Sequence, residues 1–229
     1  MSIDITAYPF NAVFDGRDNT QALIDAMDAA ASVDGVPDQG GTRGGVVKLP
    51  KGTMVLSAPI VVPDSVVLDG EGTMSTVIRM SDGFDPACHF IQLGSNNVAN
   101  FGTRLQNLQL WSDRANVAYG RSMVYSNGVQ HTGGLDRVKI FAGSRAPVWL
   151  EGGYGGASYV TLRDVETFHH NHCGNPGISI DYGDSCLVDM TNIVMQGPVG
   201  QNAHPDPTNH PPYAMQVQSG LISMRNAHI

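Results

Sequence analysis

Five six-residue windows of this chain share one pattern: an apolar residue, any residue, Asn, Asp or Arg, a second apolar residue, then two positions of which the last is usually apolar. They are Leu105–Leu110, Leu135–Ile140, Leu162–Thr167, Met190–Met195 and Met224–Ile229, with starts 30, 27, 28 and 34 residues apart. A period in the range of 20–50 residues marks stacked units rather than one irregular core. A second set of short apolar runs precedes each window in phase: Phe90–Leu93, Met123–Tyr125, Val148–Leu150, Ile178–Ile180 and Met215–Val217. These runs are three to four residues long, rich in β-branched side chains, and bounded by Gly, Asn, Asp, Ser or Pro, which predicts strands. Two motifs marching in register predict an all-β parallel β-helix, each coil of roughly 25–35 residues lying on the last.

The middle residue of each window has a physical task in such a coil. It sits at a bend, where Asn and Asp tolerate left-handed backbone angles and can bond along the stack. Asn107, Asp164, Asn192 and Asn226 are therefore expected to form a structural ladder. The 27 Gly and 13 Pro exceed the roughly 12% average usage of the pair and supply the other corners.

Charge narrows the function classes. The net charge is −8, and only three of the 13 cationic residues are Lys, a poor basis for neutralising the phosphates of nucleic acid or of an anionic membrane surface. No apolar run is long enough for a bilayer-spanning helix. The first residues, Met1–Thr6, lack the basic and apolar regions of a signal peptide. Cys88, Cys173 and Cys186 suggest neither a disulfide framework nor a CxxC metal site. A reduced protein made in the cytoplasm is the expectation.

One segment reads as a helix: Asn19 or Thr20 can cap it, and Leu23, Ala26, Met27 and Ala30 recur at helical spacing through about Ala31. The expected organisation is an N-terminal arm, helix and Gly-rich loop over residues 1–45, then β-helix coils over 46–229. The last window ends at Ile229 with no capping element after it, so the solenoid is expected to continue beyond this chain or to be covered by a partner.

The segment Phe10–Ala30, the run Gly44-Gly-Val-Val-Lys-Leu-Pro-Lys-Gly-Thr-Met54 and the run Leu68-Asp-Gly-Glu-Gly72 together resemble the N-terminal signature of pectate-lyase-like right-handed parallel β-helix proteins. The resemblance is strongest to bacteriophage tailspikes and tail-associated depolymerases. Asn11 replaces the usual first Gly, Arg17-Asp-Asn the acidic pair, and Met54 the usual aromatic. The resemblance covers residues 8–80 by motif and the rest by repeat. It implies a helix that caps the open end of the solenoid, a homotrimer, other virion tail proteins as partners, and a place in the phage tail after synthesis in the host cytoplasm. Secretion is the alternative location.

Outward positions can be compared column by column, because neighbouring rungs lie about 4.8 Å apart. In the repeat windows Asp136 is expected beside Arg163 and Lys139 beside Glu166, each an opposite-charge pair across adjacent strands. The column after the other strand is expected to run Ser126, Glu151, Asp181, Gln218. Glu151 and Asp181 then face each other with no base in their own column, a carboxylate pair of the kind that glycosidases use. Trp149 lies on the same outward face, and Tyr154 and Tyr182 are near in sequence, so these three and His170 are the candidate substrate-binding residues. Lyase chemistry would want a cation or phenol as base, and Arg145 and the tyrosines are the groups close by.

No metal or other cofactor is assigned. A Ca2+ site built from Asp181, Asp184 and Glu151 is a second use of the same oxygens. His169, His170, His172 and Cys173 lack the spacing that makes a zinc site and read as a polar loop. A Pro-rich loop over residues 197–212 is expected to protrude.

Three functional readings stay open. One is a phage tail spike or fibre protein that binds host surface polysaccharide, with or without cleaving it. Another is a free polysaccharide lyase or glycoside hydrolase. The third is a structural virion component without an enzymatic role.

Overall fold

The computed structural model describes residues 1–31, 44–95, 100–112, 120–130, 133–151, 158–168, 177–181, 187–196, 215–217 and 221–228. The chain begins with β1 (Ser2–Asp4), β2 (Asp15–Asp18) and the helix α1 (Thr20–Ala31). The first coils contain β3 (Val46–Lys48), β4 (Gly52–Leu56), β5 (Ile60–Val62), β6 (Val67–Asp69), β7 (Thr76–Met80), β8 (Ile91–Leu93) and β9 (Asn100–Phe101). Longer strands follow: β10 (Arg104–Trp111), β11 (Ser122–Asn127), the short β12 (Val129–Gln130), β13 (Gly134–Phe141), β14 (Ala146–Glu151) and β15 (Ser158–Phe168). The last described coils hold β16 (Ile178–Asp181), β17 (Leu187–Gln196), β18 (Met215–Val217) and β19 (Leu221–His228).

Every pairing among these strands is parallel, as in a β-helix. One sheet runs β1-β3-β6-β10-β13-β15-β17-β19, with β2, β4 and β7 joining it alongside β10; a second runs β5-β8-β11-β14-β16-β18. From β10 onward the two short strands of the early coils fuse. Arg104–Gln106 pairs with β6 and Gln109–Trp111 with β7, so a single strand spans what two strands spanned before.

The fused strands bend at the middle residue of the repeat. Asn107, Arg137, Asp164, Asn192 and Asn226 have φ of 56°, 51°, 52°, 54° and 53°, the left-handed region that Asn and Asp tolerate and most residues avoid. The ladder also bonds along the stack. Asn107 Nδ2–H donates to Asp69 (2.7 Å), Asn192 to Asp164 (2.6 Å) and Asn226 to Asn192 (3.0 Å). Arg137 lacks a short amide and joins by donating from Nε to Asn107 Oδ1 at 2.6 Å.

On either side of the bend, alternate residues point inward and stack. Leu105, Leu135, Leu162 and Met190 form one buried column; Leu108, Val138, Val165 and Ile193 form another. Val124, Val148 and Ile178 line the opposite wall. Each such side chain, fully buried, stabilises by roughly 1.5–3 kcal/mol relative to exposure.

The helix follows its expected bounds. Leu23, Ala26, Met27 and Ala30 are its buried face, and it packs against β1, β3 and β5. Asn19 fixes its entry: its backbone oxygen accepts the Leu23 N–H at 3.0 Å, and its side chain bonds both the N–H and the C=O of Val13 at 2.9 Å. Two glycines of the N-terminal signature have steric reasons. A Cβ at Gly44 would lie 2.1 Å from the Ser65 oxygen, and Gly52, at φ +124°, would place one 2.4 Å from the Phe14 oxygen.

Both outward charge pairs form. Arg163 bonds Asp136, with Nε–H donating at 3.0 Å, and Lys139 meets Glu166 at 3.1 Å. Above them Trp111, Phe141 and Phe168 stack in register with ring centroids 4.4 and 4.6 Å apart. Their faces are largely occupied by one another, and Lys139 sits over the last two rings.

Candidate functional site

The outer face of the second sheet holds the candidate residues. The register sets Gln92, Tyr125, Trp149 and Ser179 in one column, and Asn127, Glu151 and Asp181 in the next. Glu151 and Asp181 thus occupy directly opposed positions on neighbouring strands. One member of the expected column is corrected: Ser126 pairs with Leu150, not Glu151, and its hydroxyl donates to the Leu93 oxygen at 3.1 Å. The physical reason is the period of two. Stepping one residue along β11 turns a side chain through the sheet, so Asn127 takes the outward place beside Glu151.

Trp149 and Glu151 are two residues apart on β14 and share this face. Trp149 is 8% exposed and clusters with Tyr125 and Ala146; Glu151 is half-buried. The Tyr125 hydroxyl donates to the Glu151 carboxylate. Burial, reinforced by that carboxylate, pushes the Tyr125 phenol up to about 12, so it stays protonated and remains a donor at neutral pH.

His89 stacks on Tyr125, with centroids 3.9 Å apart and planes 15° from parallel. Its Nδ1 lies 2.9 Å from Ser122 Oγ and accepts the Ser122 backbone N–H at 3.3 Å. Burial, aided by the positive charges of Arg121 and Arg145, lowers His89 to about 4. The ring is neutral at pH 7, and because Nδ1 accepts the amide, the proton sits on Nε2.

Arg145, a sequence candidate for lyase base, is fully buried and otherwise employed. Its guanidinium donates to the Cys88 oxygen and to the oxygens of Asp85 (3.3 Å) and Pro86 (3.5 Å), and it lies 5.4 Å from the Phe84 ring. It pins the turn that delivers His89. Tyr154, Tyr182, His170, Asp184 and the loops over 169–176 and 197–212 lie outside the described residues, so the Ca2+ alternative and the polar loop do too.

Sequence reasoning missed Tyr125, His89 and Arg121. Tyr125 was within reach, since it ends a recognised strand run one coil before Trp149. His89 lies 36 residues before Tyr125, and only the stacking of coils brings the rings together.

The sequence matches no family model and no curated protein. Among solved structures, the A-module of mannuronan C-5 epimerase AlgE4 from Azotobacter vinelandii is similar with a TM-score of 0.60 and 17% identity, over 98% of this chain and 70% of that one. The AlgE6 A-module from the same organism gives 0.54 and 15%, over 98% and 57%. Pre-mature gene product 12 of bacteriophage phi29 gives 0.59 and 15%, over 98% and 33%. The chain therefore spans between a third and 70% of these relatives' lengths, and what it shares with them is the right-handed parallel β-helix fold.

Proposed function

We propose that this chain is a phage tail-associated protein whose β-helix flank binds a polysaccharide of the host surface and hydrolyses it with Glu151 and Asp181. The observation that carries the reading is the register of those two residues, opposed on adjacent strands of an outward face that also bears Trp149 and Tyr125. Strands in a sheet lie about 4.8 Å apart, near the carboxyl separation of roughly 5–5.5 Å used by retaining glycosidases. Proteins of this fold with similar structures include a phage gene product and enzymes named for mannuronan.

Hydrolysis is favoured over lyase chemistry by the groups around the pair. A lyase needs a base for a carbon-bound proton. Tyr125 at about 12 is a donor, and His89 carries its proton on Nε2 while Nδ1 is taken by Ser122. The carboxylates are left as the groups suited to acid, base or nucleophile.

In this reading α1 closes the N-terminal end of the solenoid, where open rungs would present apolar side chains and strand edges. The protein assembles as a homotrimer in the virion. Light scattering would then give about three times the 24.4 kDa chain mass. The deciding experiment incubates the protein with capsular and O-antigen glycans and follows chain length. Shortened products that vanish in Glu151→Gln and in Asp181→Asn are expected. Products unaffected by both changes overturn the assignment, and binding without products leaves an adhesin.

A further inference from the structure

Several polar atoms on the outer face of β11, β14 and β16 are buried without a hydrogen-bond partner among the described residues: Arg121 Nε, Asn127 Oδ1 and Ser179 Oγ. Ser179 is 1% exposed and stands in the column of Trp149. Asn127 stands beside Glu151 and turns its amide toward the Tyr125 hydroxyl, which leaves Oδ1 as the idle end. A buried polar group left unpaired costs about 1–3 kcal/mol, and most buried polar groups in folded proteins are paired. Such atoms spaced along one face therefore call for an occupant.

Arg121 is the informative member. It immediately precedes β11, its backbone oxygen accepts the Ala146 N–H at 2.9 Å, and its charge is felt by Cys88, His89 and Tyr125. Arg145, which immediately precedes β14, spends Nη1 and Nη2 on backbone carbonyls. Arg121 has no such bond among the described residues. His89 Nε2–H is a second donor without a described partner in the same corner.

The donors and acceptors differ in kind. Arg121 and His89 offer N–H groups, one of them on a permanent cation, which suits an anionic oxygen. Asn127 Oδ1 accepts and Ser179 Oγ does either, which suits hydroxyl groups. We infer that Arg121 and His89 form a subsite for an anionic substituent, carboxylate or sulfate, on a glycan whose neighbouring sugars present hydroxyls to Asn127 and Ser179. The glycan is then acidic, despite the protein's own negative charge. This inference rests on the reading of the same face as a polysaccharide site.

The test measures binding of the full chain to polyglucuronate, dextran sulfate and neutral dextran at low and high salt, with wild type, Arg121→Met and Arg121→Lys. Wild type should bind at least one acidic polymer at least 10-fold tighter than dextran, and added salt should weaken that binding. Arg121→Met should lose that preference, and Arg121→Lys should recover part of it. Which polymer binds separates carboxylate from sulfate. Thermal melting and near-ultraviolet dichroism establish that the variants fold, and titration of wild type alone with glucuronate against glucose gives a readout that needs no variant. Preference for dextran, or an acidic preference untouched in folded Arg121→Met, overturns the subsite and leaves the glycan reading standing. Failure to bind any glycan, charged or neutral, overturns both.

Discussion

The Tyr125 hydroxyl crosses from one rung to the next to donate to the Glu151 carboxylate. Tyr125→Phe keeps the ring on His89 and removes that donor, together with the oxygen toward which the Asn127 amide turns. A hydrogen bond to a charged group contributes about 1.5–3 kcal/mol, so kcat on the cleaved glycan should fall by roughly 10- to 100-fold. KM should change little, since the phenol holds the carboxylate rather than the sugar. Steady-state kinetics on a defined oligosaccharide would decide it. An unchanged kcat would remove Tyr125 from the site.

Much of this arrangement was legible because a solenoid makes the third dimension a matter of counting. Once Leu135 is set against Leu162, Asp136 must meet Arg163 and Lys139 must meet Glu166, and they do. The same counting placed Glu151 against Asp181. It failed at Ser126, where the run Met123–Tyr125 was followed by one residue too few and parity put a core-facing hydroxyl into an outward column. His89 escaped for a different reason. It lies just ahead of β8, outside any repeated window, and the turn that aims it is pinned by Arg145 from 57 residues further along. No local pattern carries that contact.

His89 also sets an acid limit. Its folded value of about 4 lies below the ordinary 6.5, so the unfolded chain takes up the proton first as pH falls. Stability is retained above about 6.5 and is lost progressively between about pH 6.5 and 4, beyond which both states are protonated at this position. The melting temperature of wild type should therefore fall across that window. His89→Gln cannot titrate, and its melting curve should be flatter there than wild type's. Parallel slopes for the two proteins would mean that His89 is accessible and unperturbed.

The bend ladder supplies a stability test with opposite signs at two positions. Arg137 holds φ of 51° without the short amide that eases it, and a left-handed residue costs about 1–2 kcal/mol. Arg137→Asn gives up an ion pair with the buried Asp136, which keeps both of its bonds from Arg163, and its bond to Asn107, which the new amide can replace. It should gain up to about 1 kcal/mol, or roughly 2–4 °C in melting temperature for a chain of this size. Asn192→Ala loses the bond to Asp164, the bond it accepts from Asn226 and the tolerance of its φ, and should cost at least about 1–2 kcal/mol. Calorimetric melting of the two variants checks both signs.

Two ion pairs on the same pair of strands, three residues apart, should differ in strength because their carboxylates differ in burial. The Asp136 side chain is 5% exposed, and that of Glu166 is 36% exposed. Arg163→Met strips Asp136 of two donors, leaving the half-exposed Arg137 as its remaining cation, at a cost of roughly 2 kcal/mol. Lys139→Met keeps an aliphatic stem against Phe141 and Phe168 and exposes Glu166 to water, so it should cost under about 1 kcal/mol. Added salt should narrow the gap between wild type and Lys139→Met, because an exposed pair is screened, and leave the Arg163→Met deficit largely intact. Urea unfolding of the three proteins at 0.05 and 0.5 M NaCl tests the ordering. Equal costs for the two variants would mean that Asp136 is as well solvated as Glu166.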